Sequence, residues 1–180
     1  MNRILYNLSV CFSLSAIAQA QPTMPWTYVN TGISHTIIIT TAANPDIGGV
    51  ALTNGDYIGV FYDLNGTLTC GGYEMWTGSS LAVAALGDDA TTSAKDGFAN
   101  NEVLKWKIWR HSDGKVLIAS PGYSPVGSMF GYITHTNRYG TNGISDLSAL
   151  SGGTILVDGD LSDLPYAPIA EKQNSRKILL

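Results

Sequence analysis

LTNGDYIGVFYDLNGTLTCGGYEMWTGSSLAVAALGDDATTSAKDGFANNEVLKWKIW, residues Leu52 to Trp109, decides the fold. Short apolar and aromatic runs alternate here with Asn-Gly, Asp-Gly and Thr-Gly steps, the punctuation of a meander of antiparallel strands. Asp56 to Tyr62 (DYIGVFY) and Leu68 to Trp76 (LTCGGYEMW) flank Asp63-Leu64-Asn65-Gly66. An Asn-Gly step between two apolar runs favours a tight turn whose twist matches that of paired strands, so a hairpin is predicted. Ser80 to Leu86 (SLAVAAL) could be a short helix or a buried strand, and its brevity within a meander favours the strand. In Glu102 to Arg110, Leu104, Trp106 and Ile108 alternate with Lys105 and Lys107, the pattern of a half-exposed strand.

Working outward, Trp26 to Thr41 (WTYVNTGISHTIIIT, with Thr41 following) carries aromatic and β-branched residues in near alternation and reads as a first strand pair. His111 to Lys115 reads as another hairpin turn leading into Val116 to Ala119. From Pro121 to Gly143 the text is a long, aromatic, glycine-rich connection of the kind on which a β scaffold displays a binding surface. Ile144 to Leu150, Ser151-Gly152-Gly153 and Thr154 to Val157 then suggest a turn and a closing strand. Regular short strands without a long amphipathic helix predict an all-β fold, an antiparallel β-sandwich of jelly-roll or Ig-like kind in preference to a barrel.

Residues 1–20, MNRILYNLSVCFSLSAIAQA, have the form of a secretory signal peptide, with Arg3, an apolar run and Ala18-Gln19-Ala20 as a cleavage site. The expected organisation is a signal peptide at 1–20, a β-sandwich domain at 21–160 and a poorly packed tail at 161–180. The expected location is secreted or at the cell surface, without a membrane-spanning segment. The formal charge of −4 offers no basic footprint, which argues against nucleic acid as a partner. With Cys11 inside the signal, Cys70 is left without an intramolecular partner and is expected to be buried.

Two constellations carry chemistry. Asp88, Asp89 and Asp96, beside glycines that let carbonyls turn inward, could form an oxygen cage for Ca²⁺, although the spacing is not that of an EF-hand and turn hydrogen bonding explains the same residues. Tyr123, Tyr132, Tyr139 and Asn137 lie in or beside the long connection, where rings can stack on sugar faces while an amide takes hydroxyls. Trp76 and Trp106, in strand text, are expected in the core. A glycosidase would need paired carboxylates, for which Asp88, Asp96 and Glu102 are the candidates. His35, His111 and His135 show no metal-ligand or triad spacing.

Gly55-Asp56-Tyr57-Ile58-Gly59-Val60-Phe61, Cys70-Gly71-Gly72, Trp76-Thr77-Gly78, Gly87-Asp88-Asp89, Asp96-Gly97-Phe98 and Lys107-Ile108-Trp109 together resemble an uncharacterised β-rich module of secreted and cell-surface proteins of marine Bacteroidetes. Trp26 to Gly32 with His35 looks like the lead-in of that module. The resemblance spans roughly Pro25 to Leu150 and implies location and architecture more than activity. Members of this kind are typically long chains ending in a type IX sorting domain, which this sequence does not show. The resulting expectation is a non-catalytic binding or adhesion module for an extracellular polysaccharide or a surface protein. A structural or assembly module is the alternative, and a glycan-active hydrolase the third reading.

Overall fold

The computed structural model describes residues 21–155, which carry nine strands: β1 (Ser34–Ile39), β2 (Asp46–Ile47), β3 (Val50–Ala51), β4 (Tyr57–Leu64), β5 (Thr67–Met75), β6 (Leu81–Leu86), β7 (Lys105–Trp109), β8 (Val116–Tyr123) and β9 (Ile144–Ile155). The predicted signal peptide at 1–20, Cys11 and the predicted tail at 161–180 lie outside the described residues, as does the end of the predicted closing strand. The Asn65-Gly66 hairpin is present. Both turn residues take left-handed φ, 55° and 87°, Asp63 Oδ1 accepts the Gly66 N–H at 2.7 Å, and β4 pairs with β5 from Leu64↔Thr67 back to Tyr57↔Met75. Ser80 to Leu86 resolves as the strand β6.

Hydrogen-bonded neighbours run β6-β1-β9-β8-β7-β4-β5, with the small β2–β3 hairpin added along the later half of β9. Most pairs are antiparallel, but β9 runs parallel to both β1 and β2. The sheet curls until its two ends, β5 and β6, pack on one another without a ladder between them, so the fold is an all-β sandwich that does not close into a barrel. Glycines make the crossing possible. A Cβ on Gly72 would collide with the Ala84 carbonyl oxygen of β6, and one on Gly71 with the Phe98 ring. Val60 faces Gly72 and Phe61 faces Cys70, so Gly71 is the extra residue of a bulge at this bend.

Between the layers lie Ile37, Ile39, Ile58, Val60, Val83, Trp106, Ile108, Leu147 and Leu150, all buried. Each such side chain stabilises the fold by roughly 1.5–3 kcal/mol through removal from water. A second cluster covers the opposite face of β4, β5 and β7, formed by Trp26, Phe61, Cys70 and Trp109. This explains why Trp109, on the lysine-bearing side of its strand, is buried.

Two sequence expectations are corrected. Within Trp26 to Thr41 only Ser34–Ile39 is a strand, because Trp26 leaves the pairing direction to pack edge-on against Phe61 at 5.1 Å. The close approach needs Gly59, whose Cβ would sit 2.7 Å from the Trp26 ring. Ser151-Gly152-Gly153 is likewise not a turn: β9 runs straight through it to Ile155. Gly152 lies under Ile108 and Ile47, where a Cβ would come within 3.1 and 3.4 Å of their side chains. Ile118 pairs with Thr154 and Ala119 with Gly152, so Gly153 is absorbed as a bulge. Among the described residues no helix is long and apolar enough to cross a membrane.

Candidate functional site

The connection from β8 to β9 is a built structure. At its start the Ser124 N–H and hydroxyl both bond to Asp146, on the carbonyl and on Oδ2. Ile133, 1% exposed, pins its middle into the core. Between them, Gly127 N–H donates to the Ile133 carbonyl at 2.8 Å and Gly131 N–H to the Gly127 carbonyl at 3.0 Å, closing a small tip. Within this tip Met129 and Phe130 hold φ of 51° and 58°. The left-handed region costs a non-glycine residue roughly 1–2 kcal/mol, and two in succession are retained only where the surroundings enforce them. The effect is to direct side chains outward: Phe130 is fully exposed, and Val126, Met129 and Tyr132 are exposed around it. From Pro121 to Asn137 the chain carries no Asp, Glu, Lys or Arg.

Behind the tip, the rest of the connection is held by His35 of β1, completely buried. The Gly140 N–H donates to His35 Nδ1 at 3.0 Å, which leaves the ring proton on Nε2, 2.8 Å from Ser145 Oγ. The Ser145 hydroxyl in turn points at the carbonyls of His135 and Thr136, 2.9 and 3.1 Å away. Burial, reinforced by His135 at a ring separation of 5.4 Å, pushes His35 down to about 4. His35 is therefore a neutral hub joining β1, β9 and the connection. Only glycine fits at 140 and 143, where a Cβ would run into the two imidazoles.

Of the four predicted ligand residues, Tyr132 and Asn137 are exposed. The other two need correction. Tyr139 is 2% exposed and stacks parallel on Phe98 at 5.6 Å, its phenol raised by burial. Tyr123 belongs to β8 and accepts the Trp106 Nε1–H at 2.9 Å, and burial pushes it up to about 12. Tyr139 is therefore a core residue, and Tyr123 is half-buried, packed against the core beside the neighbouring strand β7. Trp76 and Trp106 are buried as expected, and so is Cys70, pushed up to about 11 by burial.

Asp88, Asp89 and Asp96 do come together, in the connection from β6 to β7, but face inward on their own backbone. Asp88 Oδ1 accepts the Asp96 N–H at 2.8 Å and Asp96 Oδ1 the Asp89 N–H at 3.0 Å. Asp89 Oδ1 takes both the N–H and the hydroxyl of Thr91, which hold its carboxyl below the usual range. Among the described residues no group of three or more His, Cys, Asp or Glu is arranged to hold a metal ion. Glu102 is similarly occupied, accepting from Asp63 N–H, Ala99 N–H and Lys95 Nζ at 2.7–2.9 Å.

Sequence reasoning passed over Val126, Met129 and Phe130, for which the available signal was a run without charge inside a loop. It also passed over Tyr28 as a site residue. Tyr28 lines a groove of about 260 Å³ with Asn30, Gly32, Ser34, Ala84 and Leu86, between β6 and residues 26–33 before β1, here the N-terminal segment. No family model, curated protein or solved structure matches the chain.

Proposed function

We propose that the chain is a secreted or cell-surface binding module, non-catalytic, that holds a surface protein through the tip formed by Val126, Met129, Phe130 and Tyr132. The observation that carries this reading is the exposure of these four side chains on one uncharged, backbone-strained tip. Soluble proteins rarely keep such apolar clusters in water unless something covers them. The tip projects and has few polar groups, so it suits an apolar cleft on a protein better than a polyhydroxylated chain, and aromatic anchors in such clefts dominate binding energies. The signal-peptide pattern of residues 1–20 and the resemblance to secreted modules support an extracellular setting.

The test is retention of the purified protein on an extracellular surface fraction, with calcium and with chelator. Phe130→Ala and Tyr132→Ala are expected to lose retention by about tenfold or more while circular dichroism stays unchanged. Retention equal to the parent in both variants sinks the reading. An effect of chelator that Asp88→Asn or Asp96→Asn reproduces would tie these carboxylates to calcium. An assembly module is the second reading, favoured by the outer edge of β3, which pairs with no further strand among the described residues and leaves Val50 exposed. It predicts self-association in sedimentation that Phe130→Ala leaves intact.

A further inference from the structure

We propose that the groove between the N-terminal segment and β6 is a binding site for one residue of a neutral extracellular glycan. This site shares no residue with the loop tip.

Its walls are fixed before any ligand arrives. The Thr31 hydroxyl donates to the Gly87 carbonyl at 2.7 Å, and the Gly87 N–H donates to the Ile33 carbonyl at 2.8 Å, so the segment is fastened to the end of β6. Asn30 Oδ1 accepts the Gly32 N–H at 3.1 Å. That bond orients the amide and leaves its NH₂ group free to donate. Gly32, at φ 74°, has nothing within 4 Å of where a Cβ would stand, which keeps the groove open beside it. Tyr28 is 45% exposed, yet its ring is fixed by a T-shaped contact with Tyr73 at 5.3 Å, itself supported by Tyr57 and Trp26. Preorganisation of this kind removes the ordering cost that otherwise weakens binding.

The chemistry of the lining selects the ligand. A sugar ring presents a C–H face and a rim of hydroxyls, and needs an aromatic surface beside amide and hydroxyl partners. Tyr28 supplies the first, Asn30 and Ser34 the second. No lining residue is charged, so an anionic or cationic ligand would be desolvated without a counter-charge. The volume of about 260 Å³ lies just below the roughly 300–1,000 Å³ of sites that enclose drug-sized molecules, as suits one sugar unit of a chain that continues into solvent.

The experiment is isothermal titration calorimetry of the purified protein with cellohexaose, laminarihexaose, xylohexaose and mannohexaose. At least one is expected to bind. Tyr28→Ala, which removes the stacking ring, and Ala84→Gln, which fills the groove from an exposed position of β6, should each weaken that binding by about tenfold or more. Phe130→Ala should leave it within about twofold, since the tip lies outside the groove. A folded protein that binds none of the four overturns the proposal. So does binding that survives both groove variants, or binding lost in Phe130→Ala, which would move the sugar to the tip. The protein-binding reading of the tip stands or falls separately, on retention by the surface fraction.

Discussion

Gly72 and His35 show how single residues carry this fold. Gly72 is required by backbone contact, because the nearest atom to a Cβ there is the Ala84 carbonyl oxygen of a strand already paired to β1. Gly72→Ala should therefore cost about 3 kcal/mol or more, read from urea unfolding midpoints. A loss under about 1 kcal/mol would mean that β6 can back away. His35 makes a pH prediction. The unfolded imidazole takes a proton near its ordinary 6.5, whereas the folded one waits until about 4. Between those values the unfolded chain binds more protons, so stability falls as pH drops through the window, by up to about 3 kcal/mol. Above pH 6.5 the residue adds no slope. His35→Asn should flatten the pH 7 to 4 series of unfolding free energies, and an unchanged slope would refute the assignment. Neither role was legible in the text. Cys-Gly-Gly announces a bend without saying what crosses it, and an isolated histidine in a β-branched run looks like a surface residue until its partners Gly140 and Ser145 are known.

At the scale of elements, the β4–β5 hairpin and the connection from β8 to β9 are opposite cases. The hairpin follows from Asn65-Gly66 and two-residue alternation, both local properties, and it was readable in full. The connection was readable as a display loop but not in its detail, because nothing local says that Met129 and Phe130 will take left-handed backbone. That strain gives a prediction. Phe130→Gly removes the Cβ penalty and should raise stability by about 1 kcal/mol in thermal or urea unfolding. The same variant should abolish retention on the surface fraction. A destabilised Phe130→Gly would show that the ring supports the loop, contrary to the exposure seen. In the aspartate-rich connection from β6 to β7 the carboxylates close turns on their own backbone, a pattern set by contacts within eight residues.

Across the whole molecule, the N-terminal segment works as a cover. Trp26 closes the outer cluster over Phe61, Cys70 and Trp109, and the residues after it form one wall of the Tyr28 groove. Trp26→Ala should cost about 3–5 kcal/mol as a large buried aromatic. It should also expose Cys70 to thiol reagents, which in the parent protein react slowly with a buried thiol. Equal thiol reactivity in variant and parent would mean that the segment does not seal that face. The sequence by itself determined the all-β class, most strands, the principal hairpin and the burial of Trp76, Trp106 and Cys70, since these depend on alternation, turn chemistry and hydrophobicity within a few residues. Only the tertiary structure decided the strand order, the parallel pairing of β9 with β1 and β2, and which tyrosines face water. Tyr139 is buried because Phe98, from a connection some forty residues earlier in the chain, stacks on it, and Tyr132 is exposed because the tip turns it away. Contacts between segments far apart in sequence set both outcomes, and no local pattern records them.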